Sequence, residues 1–138
     1  MTQHIVWLDK DHDFLAPLMR PLQFDGYRIL PLRTVADALI HLSDLQTCNL
    51  VILDLLLPTG GAQLGGQDPY MGRALLRHLR TVYRFERPVI VCSVVTQPAV
   101  LVSLKELRVD RVLNKLEMTA GRLKQEADAV WDERARRK

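Results

Sequence analysis

VILDLLLP, residues 51–58, decides the fold. Val51, Ile52 and Leu53, preceded by Leu50, run without polar alternation into Asp54, and Pro58 follows four residues later. A short continuous apolar run of this kind predicts a strand covered on both faces, ending in an acid. Outward from it lie two runs of the same character, Ile5-Val6-Trp7-Leu8 and Val89-Ile90-Val91-Cys92, with a shorter one at Val112-Leu113 and a weaker one at Tyr27-Arg28-Ile29-Leu30. The segments between them carry helical periodicity. Val35, Ala38, Leu39, Leu42 and Leu45 form one stripe, with Thr34 as N-cap. Leu75, Leu76, Leu79 and Val82 form another, with Arg73, Arg77, Arg80 and Arg84 assigned to the water side. Leu101, Leu104 and Leu107 form a third, and Leu123, Ala127, Val130 and Trp131 a fourth, capped by Thr119. The first helix, within FLAPLMRPLQF, contains Pro17 and Pro21, one of which is expected to begin or kink it.

Five alternations of strand and helix predict a parallel sheet with helices on both faces. The 138 residues suit one domain, with a core at about 4–131 and a basic helix end at 132–138. With 48% hydrophobic and 25% charged residues, the composition is that of an ordinary globular chain. Cys48 and Cys92 have no CxxC spacing and read as buried free thiols. No apolar stretch spans a bilayer, and the start reaches DKDHD too soon for a signal peptide, so the reading is cytoplasmic. The net charge of +3 comes largely from Arg134, Arg136, Arg137 and Lys138, a solvated helix end; no direct DNA binding and no membrane contact are expected. PTGGAQLGGQDPY, residues 58–70, reads as a mobile loop.

In such folds ligands bind where strands end and the topology reverses. Those ends carry Asp9, Lys10 and Asp11, then Asp54, Ser93 and Asn114-Lys115. Carboxylates suit a hard cation, and Lys with Ser suits phosphoryl oxygens, so the edge reads as a phosphate and metal site. The four histidines show no metal-ligand spacing, and the glycines of 60–66 lack the Lys-Ser/Thr of a nucleotide-binding loop.

This constellation resembles the response regulator receiver domains of two-component systems, which take a phosphoryl group from a histidine kinase. VILDLLLP resembles that family's third strand, PVIVCSV (88–94) the fourth, RVLNKLEM (111–118) the fifth, IVWLDKD (5–11) the first with its acids, and MGRALLRHLR (71–80) the start of the third helix. The resemblance implies a flavodoxin-like, doubly wound (βα)5 sheet in the order 2-1-3-4-5. It implies Asp54 as phosphoacceptor, Ser93 and Lys115 as phosphoryl-binding residues, and Mg²⁺ held by Asp9, Asp54 and the Leu56 backbone carbonyl, with Asp11 as a further candidate.

The sequence departs from the family's pattern in four places. Lys10 stands where a second acid is usual, which implies weakened Mg²⁺ binding; Lys10 is expected to pair with Asp9 or Asp54 instead. Val112 takes the place of the usual switch aromatic, Leu116 takes that of the proline after the lysine, and the loop after Asp54 is longer than usual. The implied partners are a histidine kinase or phosphotransfer protein and a downstream protein. The fourth helix, fifth strand and fifth helix form the implied output and homodimer face, including Leu101, Leu104, Lys105, Val112 and the helix from Thr119. The expected function is a stand-alone phospho-switch rather than an enzyme. Its rival is a receiver-like interaction module that Lys10 leaves poorly phosphorylated or not at all. A phosphatase of the haloacid-dehalogenase type lacks its second acid, because Leu56 stands there.

Overall fold

The computed structural model describes residues 3–136. The chain runs β1 (Gln3–Leu8), α1 (His12–Phe24), β2 (Tyr27–Leu32), α2 (Val35–Ile40), α3 (Leu42–Thr47), β3 (Leu50–Leu53), α4 (Met71–Val82), β4 (Val89–Ser93), α5 (Pro98–Ser103), a 3₁₀ turn at Leu104–Leu107, β5 (Arg111–Asn114), a second 3₁₀ turn at Lys115–Glu117, and α6 (Ala120–Arg136). Five parallel strands pair in the order β2-β1-β3-β4-β5, as expected.

Strand alternation divides the apolar runs between two cores. Val6, Leu8, Val51, Leu53, Val89 and Val91 face α2 to α5, meeting Val35, Ala38, Leu45, Leu75, Leu76, Leu79 and Val100. Ile5, Trp7, Leu50, Ile52, Ile90, Cys92 and Leu113 face α1 and α6, meeting Leu15, Met19, Leu22, Leu123, Ala127 and Val130. Both faces of the sheet are therefore dry, which is why the central runs are continuous rather than alternating. Cys48 and Cys92 are buried and unbridged, and burial pushes both thiols up to about 11.

Several local expectations need correction. α1 begins five residues before Pro17 and contains both prolines, so neither begins it. The residues whose carbonyls the prolines leave free, Asp13 and Pro17, are exposed, where water can satisfy them. The stripe from Val35 to Leu45 is broken at His41 into α2 and α3, although Thr34 caps it as expected, its Oγ1 accepting from the Asp37 N–H at 3.0 Å. Thr119 likewise caps α6, its Oγ1 accepting from the Arg122 N–H at 3.1 Å.

On α4 the assignments of Arg80 and Val82 are reversed: Val82 is exposed and Arg80 is buried. The Arg80 guanidinium donates to the carbonyls of Phe85, Arg87, Leu107 and Arg108 at 2.8–3.3 Å and lies over the Phe85 ring. Burial lowers its pKa to about 10, and the neighbouring charges of Arg108 and Arg134 push the same way. It ties the approach to β4 to the approach to β5. In the basic helix end, Arg134 pairs with Asp110, while Arg137 and Lys138 lie outside the described residues.

The loop after β3 is anchored rather than free. Val35 and Ala36 donate their N–H groups to Pro58 and Thr59 at 2.9 and 3.0 Å, and Ala62 and Leu64 pack on the core. No helix among the described residues is long and apolar enough to cross a membrane.

Candidate functional site

β1 and β3 pair with Leu8 opposite Leu53, so the next residues, Asp9 and Asp54, stand side by side at the carboxyl edge of the sheet. The ladder reaches into both: Asp54 N–H donates to Leu8 O and Asp9 N–H to Leu32 O, each at 3.0 Å. β4 and β5 pair through Ser93 and Asn114, which brings Ser93 and Lys115 to the same edge. Asp9 (1% exposed), Ser93 (2%), Asp54 (3%) and Lys115 (7%) are, with Arg80, the only buried polar or charged residues among the described residues. Buried polarity is thus concentrated at one place, where each group must find a partner or carry a desolvation cost.

The partners are present. Asp54 Oδ1 accepts from Ser93 Oγ at 2.9 Å and from the Leu56 N–H at 3.1 Å; Asp54 Oδ2 accepts from Lys115 Nζ at 2.9 Å. The same ammonium lies 2.7 Å from Asp9 Oδ2 and 3.6 Å from Asp11 Oδ2. Asp9 Oδ1 accepts from the Asp11 N–H at 2.8 Å, a turn that aims Asp11 back into the pocket. Burial raises the Asp9 carboxyl above its ordinary range, as does the charge of Asp54, against the opposing pull of Lys115 and the Asp11 N–H. For Lys115, burial works against the charge, but bonds to Asp9 and Asp54 more than offset it and hold the ammonium well above the usual lysine range.

Lys10 does not do what was expected of it. It is exposed and makes no ion pair among the described residues; the cation that bonds Asp9 and Asp54 is Lys115. At the strand end the backbone turns Asp9 and Asp11 inward and leaves the residue between them facing water.

Chemically, Asp54 is a carboxylate whose two oxygens are held in a fixed direction by three donors, with a cation and a hydroxyl beside it. Such a pocket suits a group that acquires and then carries negative charge. For a divalent cation the donor chemistry is that of hard oxygen ligands: Asp9 and Asp54 inside, Asp11 at the rim. Among the described residues no three acids, histidines or cysteines are disposed as metal ligands, and Lys115 Nζ is bonded to both Asp9 and Asp54. By their chemistry the three carboxylates fit a hard cation.

The remaining candidates are placed as follows. Leu56 lies beside the pocket, half-exposed, with its N–H committed to Asp54. Val112, at the implied switch position, is 41% exposed and has no aromatic to swing. Leu104 is buried in the core but still lines the groove that Leu101, Lys105 and Val112 border more openly.

Two features escaped the sequence reading. A Cβ at Gly72 would meet the Asp54 carbonyl oxygen at 2.1 Å, so α4 starts directly on the Asp54 backbone and only glycine fits. Its N–H donates to Leu55 O at 3.0 Å. The signal was the glycine itself, in the first turn of a predicted helix where it lowers helix propensity. The second feature is Tyr70, whose hydroxyl donates to Gln97 Oε1 at 2.6 Å, a contact that no local pattern announces.

No family model and no curated protein matches the sequence. Solved structures do match over nearly the whole length. A CheY-like response regulator receiver domain protein from Methanospirillum hungatei aligns over 100% of both chains at TM-score 0.78 and 18% identity. The non-phosphorylated HemR receiver domain from Leptospira biflexa aligns over 94% of both chains at 0.75 and 19%. A response regulator from Thermotoga maritima covers 96% of this chain and 99% of its own at 0.76 and 14%. At such identities the likeness establishes the fold.

Proposed function

We propose that this chain, which has the response regulator receiver fold, is a phosphoacceptor switch of two-component signalling, with Asp54 as the residue that takes the phosphoryl group. The observation that carries this reading is the set of bonds on Asp54: Ser93 on one oxygen, Lys115 on the other, and the Leu56 N–H fixing the plane.

In this reading one Asp54 oxygen attacks the phosphorus of a phosphohistidine on a histidine kinase or phosphotransfer protein. The N–P bond breaks as the O–P bond forms, and the histidine leaves with the electron pair. Lys115 gives up its bond to the attacked carboxylate and pairs with the phosphoryl oxygens, while Ser93 Oγ turns from Asp54 to the new group. Positioning and charge neutralisation are what such a transfer requires. Mg²⁺, when bound by Asp9, Asp54 and the Leu56 carbonyl with help from Asp11, supplies further neutralisation of that charge. The chain's own contribution is Lys115, a permanent cation already in place.

The output is a contact with a downstream protein, or a second copy, across the α5–β5–α6 face. There a groove of about 320 Å³ is lined by Leu101, Val102, Leu104, Lys105, Val109, Asp110, Arg111 and Val112. The second reading, a receiver-like interaction module with little or no phosphorylation, is favoured by one observation: Lys10, at the position of the usual second acid, is exposed, so among the described residues Asp11 at the rim is the pocket's only acid beyond Asp9 and Asp54. Intact-mass measurement after incubation with acetyl phosphate and Mg²⁺, beside an Asp54→Asn control, separates the two. One phosphoryl adduct that the control lacks supports the switch; no adduct, under conditions that label an ordinary receiver, supports the module.

A further inference from the structure

Ser93 Oγ is shared between two bonds. It donates to Asp54 Oδ1 at 2.9 Å and accepts from the Val95 N–H at 3.3 Å. Anything that re-aims this hydroxyl therefore disturbs the backbone at Val95, two residues before Gln97, the N-cap of α5.

α5 is gripped at both ends from the other side. Gln97 Oε1 accepts from the Tyr70 hydroxyl at 2.6 Å, and Ser103 Oγ accepts from Arg73 Nη1 at 3.0 Å. Both gripping residues belong to one built unit. Arg73 donates to the two Asp68 oxygens at 2.9 and 2.8 Å, and its guanidinium lies 5.2 Å from the centroid of the Tyr70 ring. Asp68 also accepts from the Tyr70 N–H at 2.9 Å and from Arg77 at 3.1 Å. Burial raises the Asp68 pKa, but these donors more than offset it and hold the carboxyl below its ordinary value. The unit closes the long loop that starts at the acceptor and leads directly into α4.

We propose that Asp68, Tyr70 and Arg73 form a two-point clamp on α5, through which the hydrogen bonding of Ser93 sets the order of loop 58–70. The trigger rests on the phosphoacceptor reading above; the mechanical link does not, because Ser93 can be altered without any phosphoryl group. With Val112 in place of an aromatic, the displacement at Ser93 reports through Tyr70 to the loop and α4 rather than through β5.

The test is amide hydrogen exchange on the full chain, unmodified, as wild type, Ser93→Ala, Tyr70→Phe and the double variant. Ser93→Ala speeds exchange in both 95–103 and 60–70, by about threefold or more, the scale of a local opening. In the Tyr70→Phe background Ser93→Ala still affects 95–103 but no longer changes 60–70. The proposal is overturned if 60–70 ignores Ser93→Ala in the wild-type background, or responds equally with Tyr70→Phe. Acetyl phosphate is then added to the wild type with the mass recorded. Failure to form an adduct removes the phosphoacceptor reading and leaves the exchange result to decide the clamp.

Discussion

Replacing Lys115 with Met keeps the length of the stem and removes the cation that bonds Asp9 at 2.7 Å and Asp54 at 2.9 Å. Both carboxylates stay behind, 1% and 3% exposed, with no other cation bonded to them among the described residues. Removing one member of a buried charge pair costs roughly 3–5 kcal/mol, because the remaining charge is left uncompensated. Here two like charges remain side by side, which places the expected loss in the upper half of that range near neutral pH. A domain stable by about 5–15 kcal/mol survives such a loss in measurable form. The loss has a definite pH dependence. Without Lys115 the Asp9 carboxyl, already raised by burial, loses the group that pulls it down, so the folded state binds protons there and the deficit shrinks as pH falls. In the wild type Lys115 itself is raised, so its contribution is full below the unfolded lysine value of about 10.4 and fades as pH climbs through the folded one. Urea unfolding followed by circular dichroism at about pH 5 and about pH 7.5 reads this directly, since a change of 3–5 kcal/mol moves the midpoint by about 2 M at ordinary m-values. An equal loss at both pH values would refute the reasoning, because it would assign the effect to stem packing rather than charge.

Lys10→Asp exchanges an exposed cation at the pocket mouth for an acid beside Asp9 and Asp11, and the loss of that repulsion is expected to tighten Mg²⁺ binding about tenfold, or 1.4 kcal/mol. Trp7, two residues before Asp9, reports it by fluorescence titration, and unchanged affinity would count against the role given to Lys10. Arg80→Met leaves four carbonyls without their donor and is expected to cost about 3 kcal/mol in urea unfolding; a change within about 0.5 kcal/mol would mean that water replaces the guanidinium. Gly72→Ala, which gains about 1 kcal/mol in an open helix, is expected instead to destabilise by about 1–3 kcal/mol, since its Cβ meets the Asp54 carbonyl at 2.1 Å. A raised thermal midpoint for that variant would show that α4 can withdraw from Asp54 at no cost.

The sheet was legible because double burial leaves a continuous apolar run, and each of the three strongest runs ended in a polar residue that the sheet then aligned. Register followed from those ends: Leu8 opposite Leu53 places Asp9 beside Asp54 without further information. What stayed hidden depended on contacts distant in sequence. Arg80 reads as a solvated arginine in a row of four, and only the packing of α4 against the turns before β4 and β5 makes it interior. Leu104 is buried as its place in the apolar stripe implies, and assigning it to an outward face overlooked that stripe. The loop read as mobile because glycines favour freedom; the contacts that tie its end, from Asp68, Tyr70 and Arg73, reach partners up to thirty residues away and leave no local pattern. Lys10 was placed by type, since a lysine beside acids suggests a pair, but the backbone at the strand end turns it to solvent.

The central claim is that Asp54, and neither Asp9 nor Asp11, takes the phosphoryl group. An aspartyl phosphate is an acyl phosphate, which borohydride reduces to homoserine, so peptide mass mapping after labelling with acetyl phosphate and reduction locates the acceptor. Homoserine is expected at position 54 alone, lost on Asp54→Asn; homoserine at position 9 or 11, or none in protein that an adduct mass shows to be labelled, would overturn the assignment of Asp54.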